Sequence, residues 1–183
     1  MHPEVCRVFI SKLNNVLDLF KKKRLLESCQ VILATHSPFM IQSLSDYNNS
    51  ISIISKENGT IKINPFDYVS QIRYPNGTIY SFGLVMYKVF GVATIELHNE
   101  LYGILQEINC CFKENDIEKW FANNGITKSL QWIREEKGIP KPAYNVTLCT
   151  YIRNSIHHPE NRRNQIFSPN ELCQSIEAML QLI

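Results

Sequence analysis

The stretch TLCTYIRNSIHHP (residues 147–159) predicts a helix that stops at its proline. Side chains four positions apart lie on one helical face, so Arg153 aligns with His157 and Asn154 with His158. Proline disfavours α geometry at the residue before it, so we expect the helix to fray at His158, which can then turn toward Arg153. The stretch therefore predicts a polar cluster, rich in hydrogen-bonding and ionisable groups, at the carboxyl end of one helix.

Helical patterns continue on both sides of this stretch. The clearest start signal is Ser168, an N-cap residue followed by Pro169 and, three positions on, by Glu171. The spacing of apolar residues predicts helices over 92–112, 116–122, 127–136, 147–158 and 168–182. The chain after residue 90 is therefore predicted to be a bundle of helices.

The chain before residue 90 has a different texture. An amphipathic helix is predicted over 3–28, a short helix over 39–44, and a hairpin from 50–55 and 60–63 around Asn58-Gly59. The run QVILAT (residues 30–35) is apolar and β-branched, as in a buried strand of a parallel sheet. We therefore predict an α+β chain with a domain at 1–64, a connector at 65–90 and a second domain at 91–183.

Composition limits the classes of function. The 183 residues are 44% hydrophobic, yet the apolar runs are far shorter than the roughly 20 residues of a membrane span. The six cysteines form no CxxC pair and the N-terminus has no signal-peptide pattern, so we expect reduced thiols, a cytoplasmic location and no membrane partner. The net charge of +2 splits into +4 over 1–90 and −2 over 91–183, so a nucleic-acid site in the second half must be a local patch.

The polar cluster has the groups that RNA cleavage needs. A histidine can take the proton of a 2′-hydroxyl or protonate the leaving oxygen. A guanidinium can hold the phosphate and offset its growing charge. We predict these roles for His158 and Arg153, with Asn154 orienting them, and His157 is the rival histidine. No metal or other cofactor is required when the 2′-hydroxyl is the nucleophile.

The cluster resembles the catalytic motif of HEPN ribonucleases: arginine, a polar residue, three variable positions and histidine. Arg153, Asn154 and His158 match it in order and spacing. The resemblance covers about 91–183 and implies an all-α helical bundle that dimerises, with metal-independent cleavage of tRNA or other cellular RNA. Glu96, His98 and Asn99, on the first helix of this bundle, are candidate supporting residues, with a plain surface stripe as the alternative.

The first domain resembles the end of the ATPase domain in ABC-like proteins of the overcoming-lysogenization-defect type. The stretch VILATHSPF (residues 31–39) carries the resemblance, and His36 matches the histidine that faces the γ-phosphate in that family. None of the seven glycines precedes a lysine, so the phosphate-binding loop is missing. The resemblance therefore implies an ATPase remnant, and ATP and Mg²⁺ become relevant only if a partner supplies the core. In this chain His36 is more simply a leftover at a sheet edge.

Other polar residues have two interpretations each. Arg162 and Arg163 either steer RNA phosphates toward the motif or lie in a solvated loop. Trp120, Phe121 and Trp132 are more typical of core packing than of base stacking.

Three functions follow from the sequence. The first is a HEPN-type endoribonuclease, a homodimer controlled by an ATPase in anti-phage defence or acting as a toxin. The second is a non-catalytic dimerisation or docking module. For the motif itself, the purely structural alternative is that His157 and His158 cap the helix and Arg153 pairs with a carboxylate such as Glu177. The third is an ATPase subunit completed by a partner. Convergence of Arg153 and His158 on an open cleft near a dimer axis favours the first, and burial of both against a carboxylate favours the second.

Overall fold

A computed structural model gives the fold of the chain and describes residues 3–25, 27–28, 30–40, 52–65, 71–74 and 77–183. The chain divides into two compact units, Met1–Tyr68 and Val69–Ile183. The fold class is α+β, as predicted. In the part of the chain that the structure describes, no helix combines the length and apolarity needed to cross a bilayer.

The first unit contains helix α1 (Pro3–Lys22) and a hairpin of strands β1 (Ser52–Glu57) and β2 (Thr60–Pro65). The hairpin prediction is confirmed. Asn58 and Gly59 both have positive φ and close a two-residue turn between the paired residues Glu57 and Thr60. Helix α1 ends six residues before the predicted end at residue 28. Residues 38–40 begin the helix predicted over 39–44, whose residues 41–44 lie outside the described residues.

The predicted buried strand over residues 30–35 is wrong. These residues have no regular secondary structure, and Ile32 is 84% exposed. A strand is stabilised by hydrogen bonds to a neighbouring strand. No described strand pairs with this run. The parallel sheet that the ATPase resemblance implies is therefore not seen in the described residues, and His36 is exposed in an irregular segment.

Within its described residues, the second unit has five helices. They are α2 (Phe82–Phe90), α3 (Ile95–Ile108), α4 (Glu114–Asn123), α5 (Leu148–His157) and α6 (Pro169–Leu180). Helix α3 packs against α2, α5 and α6. Leu101, Leu105, Phe121, Ile152 and Ile176 are each fully buried in the shared core. The start of α6 is confirmed, with Ser168 and Glu171 forming the predicted capping box.

The second unit begins earlier than the sequence predicted. Strands β3 (Gln71–Tyr74) and β4 (Gly77–Tyr80) and helix α2 all fall in the predicted connector over 65–90. Helix α2 approaches α3 closely: a Cβ on Gly83 would lie 2.8 Å from the Cβ of Leu97. Gly83 therefore permits this contact, and α2 belongs to the core of the second unit.

The predicted all-α character of the second domain is wrong between α4 and α5. Strands β5 (Leu130–Trp132) and β6 (Glu135–Glu136) replace the helix predicted over 127–136, and strands β7 (Ile139–Pro140) and β8 (Tyr144–Val146) follow where no helix is predicted. β5 pairs antiparallel with β8, and β6 with β7, so the segment is one long hairpin with an interrupted ladder. Trp132 and Val146 pack on Tyr151 of α5, and this tertiary contact favours the strands over the weak helical pattern.

Candidate active site

An open cleft of about 530 Å³ in the second unit gathers the predicted motif residues. Three structural elements line it: the start of α4, the long hairpin and the end of α5. The lining residues are Lys113, Glu114, Asn115, Trp132, Arg134, Tyr144, Arg153, Asn154 and His158. Arg153, Asn154 and His158 therefore line the same cleft.

The amino end of α5 is fixed by a buried carboxylate. Glu118 of α4 is 3% exposed and accepts hydrogen bonds from the backbone N–H and the hydroxyl of Thr147, the N-cap of α5. Lys128 lies 3.5 Å from the same carboxylate. On the same side of the helix, the Thr150 hydroxyl lies 3.5 Å from the Thr147 hydroxyl and 3.0 Å from the Tyr102 hydroxyl. These contacts set the position of the helix that carries the motif.

A chain of hydrogen bonds holds Arg153 at the cleft. Its Nη1 donates to Asn154 Oδ1 at 3.1 Å, and Asn154 Nδ2 donates to Glu114 Oε2 at 2.9 Å. The Tyr144 hydroxyl donates to Glu114 Oε1 at 2.7 Å. Burial raises the pKa of Tyr144, and the adjacent Glu114 acts in the same direction, so this hydroxyl remains a donor. Asn154 is 2% exposed and uses both ends of its amide, which fixes its orientation.

His158 ends the motif helix in a non-helical conformation. Helix α5 stops at His157, and His158 has φ −126° and ψ 60°, which lies outside the α region that the following proline disfavours. Its side chain is half exposed, lines the cleft, and places Nδ1 3.4 Å from Glu160 Oε1. His157 is exposed and does not line the cleft; partial burial and the nearby Arg153 lower its pKa.

The cleft is locally basic although the second half of the chain is not. Its lining residues include three cations, Lys113, Arg134 and Arg153, and one carboxylate, Glu114; outside the lining, Glu136 pairs with Arg134 at 3.4 Å. The amino end of α4, where backbone N–H groups lack helical partners, also borders the cleft. An anion is therefore favoured there, and the Glu114 charge is already shared by Asn154 and Tyr144.

The loop after α5 is bound to the hairpin. The side-chain amides of Asn161 and Asn164 both donate to the backbone oxygen of Ile133, at 2.8 and 2.9 Å. Arg163 forms an ion pair with Glu135, at 3.4 Å, and Arg162 is exposed. Neither arginine lines the cleft. Both arginines are close to the motif in sequence, but the fold does not place them in the site.

The candidates on α3 do not line the cleft either. His98 is fully buried, and its Nε2 lies 3.0 Å from the Ser175 hydroxyl of α6. Burial lowers the pKa of His98 to about 4, so it is neutral at pH 7. Glu96 is exposed and Asn99 is half-buried. The support for the motif comes instead from α4 and the hairpin.

Sequence reasoning missed five residues of the site: Lys113, Glu114, Asn115, Arg134 and Tyr144. All come from segments whose structure was predicted as helix or left without a prediction, and none belongs to a motif. A signal existed in the alternation of Leu130 and Trp132 with polar residues, which is typical of a strand. Of the three aromatic residues predicted as core, Phe121 and Trp132 are buried, which confirms the prediction for them.

A scan against protein-family models finds no match, and searches of curated proteins and of solved structures find no similar protein.

Proposed function

We propose that the chain is a metal-independent endoribonuclease of the HEPN type, with its active site in the cleft of the second unit. The observation that carries the proposal is that Arg153, Asn154 and His158 line one open, locally basic cleft. Glu177, the carboxylate that the purely structural interpretation of the motif assigned to Arg153, instead accepts a hydrogen bond from Tyr87. By analogy with the HEPN family that the chain resembles, an ATPase would control the nuclease in anti-phage defence, or the nuclease would act as a toxin. Its substrates would include tRNA.

The proposed reaction uses the 2′-hydroxyl of RNA as nucleophile. His158 takes the proton of that hydroxyl or gives one to the leaving 5′-oxygen, because its half-exposed ring can reach a bound phosphodiester. Attack of the 2′-oxygen on phosphorus forms a 2′,3′-cyclic phosphate and breaks the bond to the 5′-oxygen. Arg153 binds the non-bridging oxygens and offsets the charge that grows on them.

Asn154 is a positioning residue in this scheme. It accepts one N–H of Arg153, which leaves the other guanidinium donors for the phosphate. Glu114 and Tyr144 extend the same role, since they fix the far end of the Asn154 amide. Lys113 supplies a positive charge that draws the RNA backbone toward the cleft, and Arg134 adds to it although Glu136, 3.4 Å away, partly offsets its charge.

The test is cleavage of total RNA by the purified full chain in excess EDTA. Arg153→Ala and His158→Ala should each lose about a hundredfold or more of the activity, and the wild-type products should end in 2′,3′-cyclic phosphates. Tyr144→Phe, which removes one hydrogen bond to Glu114, should lose about tenfold. The matched control is Tyr87→Phe, which removes a hydrogen bond to Glu177 outside the cleft and should retain activity.

His157→Ala distinguishes the two histidines, because His157 does not line the cleft. It should keep most of the activity that His158→Ala loses. Equal losses in both variants would contradict the assignment of His158. A folded, dimeric wild-type chain that cleaves no RNA would favour the docking module.

A further inference from the structure

A second cavity of about 220 Å³ adjoins the cleft, and His158 lines both. Its remaining walls come from the last turn of α5 and from the loop that follows, including Pro159, Gln165, Ile166 and Phe167. A group bound in this cavity would therefore touch the histidine that the proposed reaction uses.

The walls of the second cavity are fixed without a ligand. Asn161 and Asn164 attach the loop to the backbone of Ile133, and Asn164 Oδ1 also accepts the Ile133 N–H at 2.8 Å. The Tyr151 hydroxyl donates to the backbone oxygen of Gln165 at 2.7 Å, and Phe167 packs against the core. The cavity is thus preorganised, which lowers the entropic cost of binding.

The two cavities differ in charge. The cleft has three cationic side chains and a carboxylate, whereas the lining of the second cavity contains no lysine, arginine, aspartate or glutamate. Ile166 is 85% exposed beside Pro159, so its apolar surface is open to a ligand that enters the cavity. Gln165 is exposed as well, and its side-chain amide offers both a donor and an acceptor. This combination suits a flat, uncharged group with a polar edge.

We propose that the second cavity binds one nucleobase, that of a nucleotide flanking the phosphate in the cleft. The inference rests on the proposed function and assigns a specificity site to it. The phosphodiester lies in the charged cleft, the base enters the neutral cavity across His158, Ile166 contacts the face of the base, and Gln165 pairs with its edge. The enzyme then selects its cleavage sites by the base on one side of the broken bond.

The test is a double-mutant cycle between the protein and the ligand. The probes are dinucleotide monophosphates with a 2′-deoxy sugar before the phosphate, which removes the nucleophile, and the same molecules lacking either base. Binding to the full chain is measured by NMR titration. Loss of the base that occupies the cavity, or Ile166→Ser, should each weaken binding about three- to tenfold, and the two together should weaken it no further.

Ile166→Ser leaves folding intact because the side chain is exposed, and Ile139→Ser, at a side chain 63% exposed on β7, is the matched control. If the loss of affinity caused by Ile166→Ser adds fully to the loss caused by removing either base, the base site is overturned. It is also overturned if the dinucleotides do not bind. Coupling between Ile166 and one base in a chain that cleaves no RNA would keep the base site and reject the nuclease. RNA cleavage by a chain in which Ile166 couples to neither base would keep the nuclease and reject the base site.

Discussion

The two units of the chain each contain a hairpin with the same turn, and the two hairpins have opposite surroundings. Asn58-Gly59 in the first unit and Lys137-Gly138 in the second each have two consecutive positive φ angles. The first hairpin exposes about two-thirds of Ile54, Ile61 and Ile63. The second buries Trp132 and Val146 against α5 and supplies Arg134 and Tyr144 to the cleft.

The difference teaches that local sequence forms a hairpin, whereas tertiary contact makes it part of a site. A turn with two positive φ angles matches the natural twist of the strands wherever it occurs. An exposed isoleucine contributes little to stability, because its surface is not removed from water. The second hairpin contributes to the site because α5 covers one face of it.

The largest expected effect is on stability in the second hairpin. Trp132 is 2% exposed and packs edge-to-face on Tyr151, with ring centroids 5.4 Å apart. Trp132→Ala should therefore lower the free energy of unfolding by about 3–5 kcal/mol. Ile54→Ala in the first hairpin should change it by less than about 0.5 kcal/mol. Denaturant titration compares them, and similar losses would remove the contrast between the hairpins.

A buried histidine gives the second contrast between the units. His98 has a pKa of about 4 in the fold and about 6.5 when unfolded, so between these values the unfolded chain binds the extra proton. Its contribution to stability is complete above about pH 6.5 and is lost as the pH falls toward 4. His98→Gln should therefore remove about 2–3 kcal/mol of the difference in unfolding free energy between about pH 7 and pH 4.5.

The control for this pH dependence is His36→Gln, at an exposed histidine of the first unit. Unfolding curves at both pH values give the difference for each variant. Equal reductions in His98→Gln and His36→Gln would show that burial of His98 is not the cause.

The sequence predicts an element well where local chemistry determines it. The capping box at Ser168, the turn at Asn58-Gly59 and the end of α5 before Pro159 all depend on neighbouring residues, and all are found. The helix predicted over 127–136 and the strand predicted over 30–35 depend on partners distant in sequence. Trp132 becomes a strand residue through Tyr151, and residues 30–35 lack a described neighbouring strand.

The candidate site divides in the same way. Arg153, Asn154 and His158 lie within six residues, so helical geometry alone brings them to one end of α5. Glu114 and Tyr144 are 30 residues apart and meet only in the fold. His98 shows the opposite error: its helical position suggested support for the motif, but its ring contacts Ser175 of α6.

The smallest change in stability is expected when the first turn residue of each hairpin is replaced by that of the other. Lys137 adopts φ +50°, a conformation that asparagine tolerates better than lysine, and Asn58 adopts the equivalent φ of +49°. Lys137→Asn should raise the free energy of unfolding by about 0.5–1 kcal/mol, seen as a rise of a few degrees in Tm. Asn58→Lys should open the first hairpin, seen as several-fold faster hydrogen exchange of its paired amides. Because both turns have the same backbone geometry, Lys137→Asn should stabilise its hairpin and Asn58→Lys should destabilise its own. A loss of stability in Lys137→Asn would mean that the second turn depends on its tertiary surroundings and not on its own residues.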